Sequence, residues 1–101
     1  MSGVNNPYQY PYETVAVSQT AQVLGTNGAI GDYLHRIVVT VSTAATSTVS
    51  IIDGSTTVLA IPANTPIGVY SLALNLNAAV GPWKVTTGAG AAVLAVGLFS
   101  K

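Results

Sequence analysis

Hydrophobic and polar residues alternate along most of this chain with the period of two that is typical of β-strands. The alternation is clearest in two segments, and it predicts that their apolar side chains form the core together with one tryptophan: Ile37, Val39, Val41, Tyr70, Leu72, Leu74, Leu76 and Trp83. The segment 91–100 differs, because it is apolar on both of its faces. A strand of this kind is buried on both faces, and another subunit could cover the second one.

Turn signals divide the chain into about eight strand-length segments that are rich in β-branched residues. Asp53-Gly54 between two apolar runs predicts a hairpin in which Asp53 serves the turn, and the glycine-rich stretch 25–31 predicts a loop. The resulting fold class is all-β: a single β-sandwich of about eight strands over residues 14–101. The predicted strands are 14–19, 20–24, 33–43, 47–53, 56–61, 67–77, 82–87 and 91–100.

Residues 1–13 have a different composition and are predicted to form an extended N-terminal arm. Two prolines and three tyrosines fall within six positions, which disfavours a helix and favours an extended, polyproline-like course. Tyrosine adds a large apolar ring with a polar tip, which suits a segment that lies along another protein surface. The predicted contact residues are Pro7, Tyr8, Tyr10, Pro11 and Tyr12.

The charge content changes the picture from an isolated domain to a subunit. Only 6% of the 101 residues are charged, against about a quarter in ordinary soluble domains. Area scaling gives a monomer of this mass roughly 5,300 Å² of surface, or about one charge per 900 Å². A monomer with so few charges would be poorly soluble, so we predict a homo-oligomer, most simply a trimer.

The same composition argues against nucleic acid and membranes as partners. The formal net charge is zero, which gives no electrostatic attraction to either. No uninterrupted apolar run reaches the ~18 residues of a spanning helix, and the first seven residues lack the basic and apolar regions of a secretory signal.

Candidate chemistry is sparse, and the sequence predicts no enzyme, no cofactor and no metal site. The chain has one histidine, His35, and no cysteine. A nucleophilic triad that pairs His35 with Asp32 or Asp53 can be imagined, but a lone strand histidine is more often structural and is interpreted so here. Trp83 and the tyrosines of the arm could stack on sugar rings, although core or interface positions are more usual for aromatic residues.

Four stretches resemble the small virion proteins with which tailed bacteriophages decorate or cement their capsids. These stretches are YLHRIVVTV at 33–41, IIDGST at 51–56, IPANTPIGVYSL at 61–72 and GPWKVTTGAG at 81–90, and the resemblance covers about residues 30–100. It implies a sandwich of jelly-roll type, commonly trimeric, that binds the outer capsid surface and reinforces the shell. It implies no catalytic residues.

The function expected on these grounds is that of a capsid decoration protein. The protein would fold in the host cytoplasm, with itself and the major capsid protein as partners. Two alternatives stay open: a carbohydrate-binding or host-adhesion module of the virion, and a small hydrolase that uses His35. The first needs Trp83 and the tyrosines exposed together on one face, and the second needs a catalytic partner for His35.

Overall fold

A computed structural model describes residues 10–44 and 47–101, which contain eight β-strands and no helix. The all-β prediction is therefore confirmed. The strands are β1 (Tyr12–Val15), β2 (Gln22–Val23), β3 (Tyr33–Val41), β4 (Val49–Asp53), β5 (Thr56–Ile61), β6 (Gly68–Asn77), β7 (Trp83–Thr86) and β8 (Ala91–Leu98).

The strands form two four-stranded antiparallel sheets. The first sheet has the order β1-β8-β3-β6 and the second has the order β2-β7-β4-β5. The pairs β1/β8, β2/β7, β3/β6 and β4/β5 are nested, so that the chain runs out to the β4–β5 hairpin and returns alongside itself. Because each sheet buries one side chain in two, the two inner faces enclose a common core.

The core is built from the alternate residues that point between the sheets. Ile37 and Val39 of the first sheet and Ile51 and Val85 of the second have no exposed surface, and Trp83 is 1% exposed. Full burial of one such side chain stabilises the fold by about 1.5 to 3 kcal/mol. The predicted core positions in β3 and at Trp83 are thus confirmed.

The predicted core positions in β6 are only partly correct. Tyr70, Leu72 and Leu74 pack against the core but keep part of their surface exposed, and Leu76 is 39% exposed. The physical reason is that β6 lies at the edge of its sheet, where no further strand covers its inward side chains. Alternation identifies a face, but it does not distinguish an edge strand from a central one.

The segment 14–24 contains less strand than predicted. Only Tyr12–Val15 and Gln22–Val23 are paired, and Ser18 and Ala21 have positive φ angles of 59° and 45°. In this loop the Gln19 N–H donates to the Thr87 hydroxyl and the Ala21 N–H to the Thr86 hydroxyl. These two hydroxyl oxygens thus accept the hydrogen bonds that backbone carbonyl oxygens of a neighbouring strand would accept in a regular sheet.

The predicted hairpin is present between β4 and β5, with Gly54 and Ser55 as its two turn residues. Gly54 has a φ of 62°, a conformation that glycine adopts without steric cost. Asp53 does not serve this turn, contrary to the prediction. Its carboxylate accepts backbone N–H groups from residues 79–81 instead.

Candidate functional site

The arm residues predicted as contacts do not share one environment. Pro7 and Tyr8 lie outside the described residues. The Pro11 carbonyl oxygen accepts a hydrogen bond from Gly97 N–H at 3.1 Å, and Tyr12 is the first residue of β1, opposite Val96. Part of the predicted arm 1–13 therefore belongs to the first sheet, and Tyr12 projects from its outer face with 66% of its surface exposed.

Tyr10 packs against its own sandwich. Its ring lies edge-on to His35, with centroids 5.0 Å apart, and tilted against Tyr33 at 5.5 Å. The rings of Tyr33 and His35 are stacked at 6.1 Å. These three rings form an aromatic cluster at one end of the outer face of the first sheet.

Asn75 joins the aromatic cluster through hydrogen bonds. The Tyr33 hydroxyl donates to Asn75 Oδ1 at 2.8 Å, and Nδ1 of His35 lies 3.0 Å from the same oxygen. His35 therefore bonds to an amide, and neither Asp32 nor Asp53 is its hydrogen-bond partner. The described residues do not supply the triad that the hydrolase reading requires.

Two strand irregularities bring Asn75 and His35 together. The register of β3 against both β6 and β8 shifts between Leu34 and Arg36, so His35 is an extra residue relative to β8. Asn75 has a φ of 54°, a conformation that asparagine tolerates better than most residues. The sequence signal for the bulge in β6 is an asparagine between Leu74 and Leu76, and sequence reasoning missed it.

Position 97 must be glycine for the bulge at His35 to form. Gly97 is buried and pairs with Leu34. A Cβ atom at this position would overlap the Tyr33 carbonyl oxygen, because the two backbones approach closely beside the extra residue. The bulge and the aromatic cluster therefore depend on Gly97.

The outer face of the first sheet is apolar along β8 and at Val38 of β3, which lies between the outward residues Arg36 and Thr40. Leu94 and Val96 of β8 point outward beside Val38 of β3, and all three are half-buried by one another and by their neighbours. Tyr12 and Val69 on the flanking strands are 66% and 67% exposed. The single formal charge on this face is Arg36, whose Nη1 donates to the Ser71 hydroxyl at 3.1 Å.

The single chain covers the inner face of the last strand fully and its outer face only in part. The inward residues of β8 are buried, whereas the outward ones are half-buried and Leu98 is 50% exposed. The outward side chains form one wall of a shallow depression of about 250 Å³. It is lined by Thr14, Val15, Ala16, Thr40, Ala92, Val93 and Leu94.

The outer face of the second sheet has a different chemistry. The outward residues on its central strands are Lys84 and Thr86 of β7 and Ser50 and Ile52 of β4. Three of these four side chains are polar. The two sides of the sandwich are therefore unequal, although their inner faces share one core.

The two buried carboxylates hold loops together rather than forming a reactive pair. Asp32 accepts hydrogen bonds from Ala29 N–H and from the backbone and hydroxyl of Ser100, at 3.0, 2.9 and 2.6 Å. Burial raises the pKa of both Asp32 and Asp53, but the hydrogen bonds outweigh it and hold each pKa below its ordinary value. Both groups are therefore ionised at neutral pH.

Trp83 does not lie on any sugar-binding surface. It is 1% exposed, and its indole N–H donates to the Asp32 carbonyl oxygen at 2.9 Å. The alternative that needs Trp83 exposed with the tyrosines therefore loses its tryptophan. Within residues 10–44 and 47–101 there is also no cluster of three or more metal-ligating side chains and no helix long and apolar enough to cross a membrane.

Comparison of the chain with protein-family models, with curated proteins and with solved structures finds no match. The resemblance to capsid decoration proteins therefore stays a prediction.

Proposed function

We propose that this protein is a structural component of a tailed-phage virion. It binds the outer surface of the capsid as a homo-oligomer, most simply a trimer, and reinforces the shell. The observation that carries the proposal is a charge-poor sandwich with an apolar outer face on its first sheet. Six formal charges in 101 residues and such a face are typical of a subunit that works inside an assembly.

The strand order supports the jelly-roll part of the proposal. Nested antiparallel pairs in two four-stranded sheets are the arrangement expected when a long hairpin is rolled up into two Greek keys. Jelly rolls occur in viral capsid proteins and in lectin domains. Since one fold serves many functions, the order favours the proposal without deciding between these two roles.

The predicted arm contacts belong to the same proposal. Tyr12 is exposed at the edge of the first sheet, and Pro7 and Tyr8 precede it by only a few residues. These residues would contact the capsid or a neighbouring subunit. Tyr10 has a different role, because its contacts with Tyr33 and His35 attach the chain just before β1 to the sheet.

The experiment is a pelleting assay with tailed-phage capsids assembled without this protein. We expect saturable binding, and we expect bound protein to raise the melting temperature of the capsids. Removal of residues 1–9 should weaken capture at least tenfold, or about 1.4 kcal/mol. The melting temperature of the isolated protein should not change, because β1 and Tyr10 are retained. Capsids that neither bind the protein nor gain thermal stability would contradict the proposal.

A carbohydrate-binding role is the second candidate, and the aromatic cluster favours it. Tyr33 also lines an open depression of about 550 Å³ together with Asn77, Leu98 and Lys101. A sugar ring could stack on Tyr33 and form a hydrogen bond with the side-chain amide of Asn77. Binding of the protein to an array of glycans tests this role. Glycan binding that is lost in Tyr33→Ala and kept in Tyr70→Ala would favour this role over capsid binding.

A further inference from the structure

We propose that the outer face of the first sheet is the surface through which neighbouring copies of this chain pack against each other in the oligomer. The outer face of the second sheet stays free of the other copies. This inference rests on the homo-oligomer in the proposed function and adds the surface that forms it. It does not depend on the capsid as the final partner.

The first argument is the identity of the side chains at the centre of the face. Leu94 lies opposite Val38 on β3 and Thr14 on β1, and Val96 lies opposite Arg36 and Tyr12. Large apolar side chains thus occupy adjacent positions on neighbouring strands. Contiguous apolar surface of this kind is rare on soluble monomers and marks an interaction site.

The second argument concerns when the face must be covered. A capsid covers a decoration protein only after assembly, whereas an apolar face on a charge-poor chain must be covered from synthesis onward. Another copy of the chain is always present at that stage. The face also carries only Arg36 as a formal charge, and the Ser71 hydroxyl already bonds to it. A strongly acidic or basic partner would therefore find little on this face to pair with.

The third argument is size. The first sheet is four strands wide and its longest strand, β6, has 10 residues, so its face extends about 20 by 33 Å. With the side chains and the strand ends included, this is on the order of the ~800 Å² that each partner buries in a stable interface.

The fourth argument is shape. The depression of about 250 Å³ beside Leu94 lies on the same face as two prominent side chains, Tyr12 and Val69. A face that carries both a depression and protruding side chains can pack head to tail against the same face of the next copy, the heterologous contact that closes a ring of three. A protruding ring from one copy then fills the depression of the other.

The test compares two matched charge substitutions by light scattering at micromolar concentration. Leu94 and Ile52 are both half-buried, outward-facing residues of central strands, one on each sheet. We expect Leu94→Lys to raise the subunit dissociation constant at least 100-fold and Ile52→Lys to change it less than threefold. Val69→Lys, at a more exposed position, provides a second variant on the first sheet if Leu94→Lys does not fold.

Thiol labelling then identifies the covered face directly, because the natural chain has no cysteine. Ala73 of β6 and Ala60 of β5 are exposed, outward-facing residues of edge strands, one on each sheet. In the oligomer, Ala73→Cys should react with a maleimide at least tenfold more slowly than Ala60→Cys. Dilution below the dissociation constant should remove the difference.

The outcomes separate this inference from the proposed function. An oligomer that survives Leu94→Lys and Val69→Lys, or that protects Ala60→Cys instead, overturns the face and leaves the homo-oligomer standing. A monomeric natural protein overturns both the homo-oligomer and this inference. If that monomer still binds capsids and Leu94→Lys weakens the binding, the occupant of the face is the capsid, and capsid binding alone survives.

Discussion

The two broad faces of this sandwich cover one core but present different surfaces. On the first sheet the central strands place Leu94, Val96 and Val38 outward, with Arg36 as the one charge. On the second sheet the equivalent positions hold Lys84, Thr86 and Ser50, with Ile52 as the one large apolar side chain. A polar outer face is the usual arrangement for an antiparallel sheet in water.

This difference teaches that the composition of the whole chain hides an asymmetry. The charged fraction averaged over all 101 residues is low for a soluble domain. On the central strands, the large apolar outward side chains are concentrated on the first sheet, whereas Val23 and Val58 are exposed on the flanking strands of the second. Association through the first sheet would bury the apolar side chains at the centre of its outer face, so a homo-oligomer addresses the solubility argument without requiring both faces to be buried.

The largest expected effect concerns the inner faces, which should behave alike. Ile37 and Ile51 are fully buried, one in each sheet. Replacement of either by alanine should cost about 2 to 5 kcal/mol, because a cavity adds to the lost transfer free energy. Urea unfolding measures both values. A loss below about 1 kcal/mol at one site only would show that the sheets do not share one core.

A somewhat smaller effect is expected at the connection that links the sheets. The loop between β6 and β7 runs from the first sheet to the second, and the Asp53 carboxylate accepts N–H groups from Ala79, Val80 and Gly81. Asp53→Ala should cost up to about 3 kcal/mol, since one buried and two part-buried N–H donors lose their acceptor.

Ser55→Ala in the adjacent hairpin turn is the control for Asp53→Ala, and its effect on the free energy of unfolding should be within about 0.5 kcal/mol. Equal effects of the two substitutions in urea unfolding would contradict the role assigned to Asp53.

Acid should lower the free energy of unfolding of the whole sandwich. The pKa values of Asp32 and Asp53 lie below the ordinary 3.8 in the folded state, so the unfolded chain binds more protons as the pH falls. The stabilisation they provide is complete well above pH 3.8 and is lost as the pH falls through the folded pKa values. Urea midpoints between pH 7 and pH 2.5 measure this loss, and Asp53→Asn should reduce its slope. Stability that rises as the pH falls below 4 would have the wrong sign.

The smallest effect distinguishes the two outer faces. Val38→Thr and Ile52→Thr each add a hydroxyl at a half-buried, outward position, and each should change the stability of the isolated subunit by less than about 1 kcal/mol. Only Val38→Thr should reduce the rise of the melting temperature with protein concentration that subunit association produces. A concentration dependence that both variants preserve would mean that the outer face of the first sheet is not buried in the oligomer.

Much of the fold could be predicted because strand periodicity and turn chemistry are local. The core positions of β3 and the β4–β5 hairpin follow from alternation and from a glycine in the turn. What could not be predicted depends on neighbours that are distant in sequence. Leu76 is exposed because β6 is an edge strand, and Asp53 bonds to residues 79–81 across the sandwich.

The candidate surface was less predictable than the fold. The two apolar faces of the last strand were visible in the sequence, and they indicated that something covers β8 from outside. The other parts of this surface come from different strands, and only the register shows that Val38 and Tyr12 lie beside Leu94 and Val96. The aromatic cluster needs two bulges to form, and bulges leave a weak sequence signal.

The central claim is that the free protein is a homo-oligomer, and the mass of the natural protein in solution tests it most directly. Light scattering or sedimentation equilibrium at micromolar concentration should give a multiple of the 10.2 kDa chain mass, with three copies as the expected number. A stable, soluble particle of 10.2 kDa under the same conditions would contradict the account, because the apolar face of the first sheet would then remain in water without a partner.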